Sequence, residues 1–279
     1  MNKKTIDPTS SPWAPFGIQL RRSREAAGLK QHQLARLCEC SSSHLSFIEL
    51  ARRPPSRKLA ELADKALDTG GTLMLLWWSM KNSAFLEGFT EYAGYEAIAD
   101  EIRIFEIDVV PGLVQTRAYT TAIEKGYARQ GGATPEQADE HIAFRLARQQ
   151  VLDRTPPALL HTVLDESCLR RIIGGRDVMV EQLLHLERLA ERSNVIIQVA
   201  PYSLGENRPF TRSVHLLTMP NRKVLAYGEA EQRGYIDRDI QSVAKLAKGY
   251  DRLAVEALGQ AESLAFIRAA RRDMEWMSN

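Results

Sequence analysis

The chain has 279 residues, 44% of them hydrophobic and 26% charged, which is enough apolar sequence for one or two unstapled cores and excludes wholesale disorder. Its net charge of +2 hides a split: residues 17–60 carry nine bases against three acids, residues 1–16 add +1, and residues 61–279 are left with −5. A basic head on a mildly acidic body suits one part that meets a polyanion and another that repels it, although a solubility pattern has the same look.

Residues 1–15 read as a flexible arm. Over 16–27, Phe16, Leu20 and Ala27 recur near helical spacing with Arg21, Arg22 and Arg24 between them, and Gly28 stops the helix. A second helix over 30–38 puts Leu34, Leu37 and Cys38 on one face, and the small Ala35 lets another helix approach. Glu39 and Cys40 form a short connection. Ser41 is a fitting N-cap for a third helix over 42–50, with Leu45 and Ile48 inward. Two short helices joined this way, with apolar seams that can meet, have the organisation of a helix-turn-helix. Pro54 and Pro55 end the unit, Ser56 caps a fourth helix over 57–67, and a fifth follows Thr69-Gly-Gly with Leu73, Leu76 and Trp77. The head, residues 16–76, is therefore expected to be an all-α five-helix domain.

Ser42, Ser43, His44, Ser46 and Phe47 lie near the N-terminal half of the third helix, the part that enters the major groove in this motif, and are the candidates for reading bases. Serine specifies weakly because it both donates and accepts; Phe47 suits a thymine methyl, and His44 reaches a base or a phosphate. Each also has a plain reading, the serines as loop and cap, His44 as a surface residue, Phe47 as packing under the 52–55 loop. Gln31 at the start of the second helix, Arg52 and Arg53 just past the third, and Arg21 and Arg22 on the first are the phosphate candidates, which orient a protein on a duplex without reading sequence. Singly, each base reads equally well as solvated surface. Together with the helix pair they point to double-stranded DNA.

Residues 77–96 are an aromatic junction, and 97–279 read as a regulatory, dimerisation or partner-binding domain. Ile102, Ile104, Phe105 and Ile107 predict a strand or a buried helix before the turn at Pro111-Gly112. Helices follow over 116–128 and 136–152, the second begun by Thr134 and Pro135. Strands are expected at 159–164, 195–199, 214–217 and 224–227, a helix at 179–190, and long helices at 236–258 and 260–277. Mixed elements without regular strand–helix–strand units predict an α+β domain with a largely antiparallel sheet and long C-terminal helices.

No reaction centre announces itself, since a nucleophile-elbow serine, a phosphate loop and a His-Glu-x-x-His are all missing. Gly174-Gly175 reads as a common turn before an anion site. Asp165-Glu166 reads as a capped, solvated pair entering a helix before an acid and base, and His215 as a packed histidine before a ligand. Cys38, Cys40 and Cys168 have no metal-ligand spacing and are expected as buried free thiols. Neither an enzyme, a cofactor nor a metal is expected. Apolar runs such as 73–78 fall far short of the roughly 20 residues that cross a bilayer, and no apolar signal core opens the chain, so a cytoplasmic protein is expected, nucleoid-associated when on DNA.

The run Leu20-Arg-Arg-Ser-Arg-Glu-Ala-Ala-Gly-Leu-Lys-Gln31, with Leu34-Ala35, Ser41-Ser-Ser-His-Leu-Ser-Phe-Ile-Glu49 and Arg52-Arg-Pro-Pro-Ser56, resembles the Cro/C1-type, or XRE-type, helix-turn-helix regulators over residues 16–76. It departs from them at Glu39, where glycine is usual. If Glu39 takes positive φ, the cost is about 1 kcal/mol. Residues 90–275 resemble the actinobacterial domain DUF5753, through Glu106, Val110-Pro-Gly-Leu-Val-Gln-Thr116, Tyr119, Arg145, Arg148-Gln149, Asp165-Glu-Ser-Cys-Leu169, Glu181-Gln-Leu183, Asn194-Val195, Ile197-Gln-Val199 and Phe210-Thr211. The chain has Tyr227-Gly228-Glu229 where a branched residue more often precedes the glutamate. Such domains sit behind XRE-type heads in Scr1-family toxin-antitoxin-like regulators. The resemblance implies a transcriptional regulator with a small acidic partner protein. A homodimer is expected, because one helix-turn-helix covers little groove, and a small-molecule effector is the other possible signal. The alternative is an antitoxin-like interaction module that masks a partner, with DNA binding secondary.

Overall fold

The computed structural model describes residues 13–81, 88–230 and 233–276. They fall into two compact units divided between residues 85 and 86.

The first unit holds α1 (Ala14–Ala26), α2 (Gln31–Leu37), α3 (Ser42–Glu49), α4 (Arg57–Leu67) and α5 (Thr72–Lys81). Most of the expected apolar stripes meet, with Phe16, Leu20, Leu34, Leu45, Ile48, Leu59 and Leu73 buried. Leu37, expected on the inward face of the second helix, is instead 51% exposed, and Ala27 is exposed too, because α2 turns Leu34 and Ala35 inward and α1 ends before Ala27. Caps fall where short polar side chains precede the helices. Ser41 Oγ accepts from His44 N–H at 3.1 Å, and Ser56 Oγ from Leu59 N–H at 3.2 Å. Asp64 on α4 serves α5 in the same way across a turn, accepting from the N–H groups of Leu73 (2.9 Å) and Met74 (2.7 Å). Trp77 Nε1 donates to the Pro55 carbonyl, so the proline end of α3's loop is tied back to α5.

The second unit runs α6 (Phe89–Glu96), β1 (Glu101–Glu106), α7 (Arg117–Arg129), α8 (Pro135–Arg148), β2 (Leu159–Asp165), α9 (Glu166–Arg170), α10 (Arg176–Leu189), β3 (Val195–Ala200), β4 (Val214–Thr218), β5 (Val224–Ala230), β6 (Arg233–Asp237), α11 (Ile240–Glu256) and α12 (Gln260–Trp276). It is an α+β domain. The strands form one six-stranded sheet in the order β3-β2-β1-β4-β5-β6. Three of its pairings are antiparallel, while β1–β2 and β2–β3 are parallel. Helical crossovers supply the parallel half, which the strand pattern alone did not reveal. One face, with Ile102, Ile104, Leu160 and Leu217, packs with Tyr119, Leu183, Leu186 and Ile267. The other, with Phe105, Val163, Leu216 and Ala226, packs under Val243, Tyr250 and Leu253 of α11.

Several elements differ from expectation; the helix expected at 179–190 starts earlier, at Arg176, and the strand expected at 224–227 runs on to Ala230. The helix placed from residue 236 begins at Ile240, because residues 233–237 pair with β5 and Asp239 caps the helix by accepting from Ser242 N–H at 2.8 Å. The helix over 136–152 ends at Arg148 and continues as a 3-10 turn, Gln149–Leu152. The stretch 77–96 contains α6, whose Tyr92 is fully buried and stacked on Tyr227 at 4.2 Å.

Candidate nucleic-acid interface

Three successive helix ends shape the turn. Beyond α1 the N–H groups of Gly28 and Leu29 return to the carbonyls of Glu25 and Arg24; beyond α2 those of Glu39 and Cys40 return to Arg36 and Ala35; beyond α3 those of Ala51 and Arg52 return to Ile48 and Phe47. These paired bonds are Schellman ends, which need a left-handed residue after the cap. Gly28 supplies it at φ +69°, whereas Glu39 and Ala51 adopt +53° and +54°. The strain at Glu39 is therefore real, and the turn closes in spite of it.

Beneath α3 lies a charged clamp. Arg24 Nε meets Glu49 Oε1 at 2.5 Å and Arg24 Nη2 meets Oε2 at 3.0 Å, while Arg24 Nη1 donates to the Leu29 carbonyl. Gln31 Nε2 donates to the same Glu49 carboxylate at 2.7 Å. One buried acid thus ties α1, the start of α2 and α3 together. Arg24 and Glu49, counted in the sequence among the head's interspersed charges, belong to its core, and Gln31 gives a side-chain hydrogen to the fold. The signal was present: Arg24 follows Leu20 by four residues, on the same stripe.

With Leu45, Ile48 and Glu49 turned inward, α3 leaves Ser42, Ser43 and Phe47 exposed and His44 and Ser46 half-buried. Arg22, Arg52 and Arg53 are exposed, and Arg21 is half-buried and paired with Glu25. The Arg53 guanidinium stands 5.4 Å over the Phe47 ring. Phe47 is therefore exposed on one side and covered on the other by Arg53 of the 52–55 loop. Of the cysteines, Cys38 and Cys168 are buried and Cys40 is half-buried. Burial pushes the Cys38 thiol up to about 12.

The body holds polar clusters that sequence reasoning did not assemble. His215 is more than a packed histidine: its Nε2 contacts Glu106 Oε1 at 2.9 Å and its Nδ1 contacts the Tyr92 hydroxyl at 3.0 Å. Tyr92 donates to Glu96, which Arg148 grips through two nitrogens at 2.7 and 2.8 Å. Burial, with Glu96 adjacent, holds the Tyr92 phenol well above the usual range. Glu124 receives Arg145 and His141 nearby. Asp165 does cap α9, accepting from Ser167 N–H, but the expected solvated pair is buried; Arg208 meets Asp165 and Arg170 meets Glu166, each at 2.5 Å. Gly174 and Gly175 take positive φ, and a Cβ on Gly174 would lie 2.6 Å from Ala122 on α7, so Gly174 serves close packing while Gly175 answers only the backbone turn before α10.

A family model described as "Helix-turn-helix domain" matches residues 15–77, and one described as "Domain of unknown function (DUF5753)" matches residues 89–269. No curated protein and no solved structure matches the chain. No helix among the described residues is long and apolar enough to cross a membrane.

Proposed function

We propose, because the chain belongs to the DUF5753 family and carries a helix-turn-helix domain ahead of it, that it is a sequence-specific regulator of transcription acting on double-stranded DNA in the cytoplasm. Ser42, Ser43, His44, Ser46 and Phe47 read base edges, and Arg21, Arg22, Gln31, Arg52 and Arg53 engage phosphates. The reading rests on one observation above all: a buried Arg24–Glu49–Gln31 clamp lies under a helix whose opening turn is exposed beside Arg52 and Arg53. Such a clamp fixes the helix before DNA arrives, which lowers the ordering cost of binding. The protein works as a homodimer. Exposed Ile240 and Val255 on α11 and Trp276 on α12 are apolar surface that a second copy would cover. The body receives the signal, a small molecule or a partner protein.

The test is selection of bound duplexes from a random pool with the full chain, followed by anisotropy titrations over a salt series. Two half-sites about 34 Å apart are expected. The pair Arg52→Ala and Arg53→Ala weakens binding to every sequence and lowers the salt slope by about 2. Phe47→Ala with His44→Ala changes the selected sequence instead. A full chain that ignores duplexes even at low ionic strength ends the reading, and light scattering that finds a monomer with and without DNA removes the dimer.

A further inference from the structure

The chain adds β2 and β3 on one side of β1 and then returns to lay β4, β5 and β6 on the other. Asp165 at the end of β2 pairs with Ala200 at the end of β3, and Phe105 near the end of β1 pairs with Val214 at the start of β4. Residues 201–213 therefore travel from β3 to β4 along the carboxyl end of the parallel strands. Open sheets hold ligands in the crevice outside those ends, where the direction of strand addition changes. Residues 107–109 and 209–214 line a cavity of about 940 Å³ at this place.

Its apolar part lies on the sheet face that α11 covers, with Ile107, Phe210 and Leu246 packed against the core there. Strand register fixes the floor. Ala226 pairs with Leu216 and with Asp237, and Gly228, one row on, pairs with Tyr235. Ala226 and Gly228 bring little or no side chain, so the face has a trough. Ser242, Lys245, Leu246 and Gly249 of α11 form a wall, spaced as one helical stripe. The Phe210 ring is 6.0 Å from that of Phe105, and a Cβ on Gly249 would lie 2.7 Å from it. Tyr235 lies across Gly228, where a Cβ would stand 2.8 Å from its hydroxyl.

The charges decide what the trough accepts. Glu106, His215 and Glu229 alternate onto the other face of the sheet. There Glu106 meets His215 at 2.9 Å and Ser213 Oγ at 2.6 Å, Tyr227 donates to Glu229 at 2.9 Å, and Arg145 stands near both acids. Asp108 is paired with Arg171 at 3.2 Å. Asp237 accepts from Ser242 Oγ and, at 2.9 Å, from Asp239 N–H. Arg212 and Lys245, by contrast, are exposed on the cavity lining and have no ionic or hydrogen-bonding partner among the described residues. Two uncommitted cations beside an apolar trough attract an anion and offer a cation no counter-charge.

We propose that this trough is the body's ligand site and that it binds a small aromatic carboxylic acid, the flat ring over Ala226 and Gly228 and the carboxylate held by Lys245 and Arg212. The inference rests on the reading of the body as the part that receives the signal, and it names the chemistry of that signal.

The experiment uses the full chain and four probes: naphthaleneacetate, its amine counterpart naphthylethylamine, its alcohol counterpart naphthylethanol, and acetate alone. Calorimetric titration is expected to detect the aromatic acid, to find the alcohol about tenfold weaker, and to detect neither the amine nor acetate. Lys245→Gln with Arg212→Gln, both exposed and bonded to nothing in the fold, weakens the acid about tenfold. Arg117→Gln with Lys125→Gln removes the same charge from the exposed side of α7 and leaves the affinity unchanged. No binding of the aromatic acid, equal binding of the amine, the alcohol or acetate, or an affinity that the cavity pair changes no more than the α7 pair overturns the proposal. Duplex binding without probe is measured in parallel. Its loss with acid binding intact removes the regulator reading alone, and the converse removes the ligand site alone.

Discussion

Glu49 is 1% exposed and lies in a helical core, and its neighbours explain why it is tolerated. Arg24 meets it with two nitrogens and Gln31 with a third donor, so its desolvation is offset by directed bonds. Removing one partner leaves the other buried without compensation, which costs about 3–5 kcal/mol. Glu49→Ala is expected to lose about that much of the head's stability in urea titration, while Arg24→Met with Glu49→Leu loses much less. A single variant costing under about 1 kcal/mol would show the clamp to be dispensable. A second residue-scale effect concerns pH. Burial pushes the imidazoles of His161 and His185 below their ordinary value of 6.5. His161 Nε2 faces Gln198 Oε1 at 2.7 Å, and Gln198 spends its own N–H groups on Ala254 and Leu258, so that nitrogen carries hydrogen in the neutral ring. The unfolded chain takes up protons first on acidification. The contribution is thus present above pH 6.5 and lost as pH falls through the lowered folded values. Comparing urea midpoints of the body near about pH 7.5 and about pH 5.5, His161→Gln with His185→Gln should flatten the slope; an unchanged slope would assign the acid sensitivity elsewhere.

At the scale of elements, the three Schellman ends differ only in the residue asked to adopt positive φ. Gly28 does so freely, whereas Glu39 carries a Cβ into the strained region. Glu39→Gly should raise the head's stability by about 1 kcal/mol, since the Lys58 pair it gives up is exposed on both sides. A lower urea midpoint in this variant would mean that the ion pair or the Glu39 stem matters more than the strain. Ser41→Ala acts in the opposite direction at the start of α3. Losing the bond to His44 N–H costs about 1 kcal/mol and frays the turn that holds Ser42 and Ser43. Duplex affinity should fall with it, and an unchanged affinity would place base reading later on the helix.

For the whole molecule, two units with separate cores imply two cooperative transitions. Scanning calorimetry of the full chain should resolve two heat-absorption peaks, with Glu49→Ala moving one of them only. A single peak that moves as a whole would show that the units unfold together. The charge split belongs to this scale too: residues 17–60 carry nine bases against three acids, and residues 61–279 sum to −5.

Much of the head and part of the body were legible in order along the chain because the signals are local. A cap such as Ser41, Ser56 or Thr134 acts on an N–H three residues away, and a strand such as 195–199 declares itself by its own composition. The two-helix seam of the motif and the exposed start of α3 follow from the same short-range periodicity. Contacts between distant residues were not legible. Arg24 and Glu49 are 25 positions apart, Glu106 and His215 are 109 apart, and residues 233–237 became a strand because β5 lies alongside to pair with. A lone charge or histidine in a sequence carries no mark of whether a partner waits across the fold. Its burial, proton sharing and place in a cavity come from packing energies that depend on which elements meet, and no short-range pattern encodes that meeting.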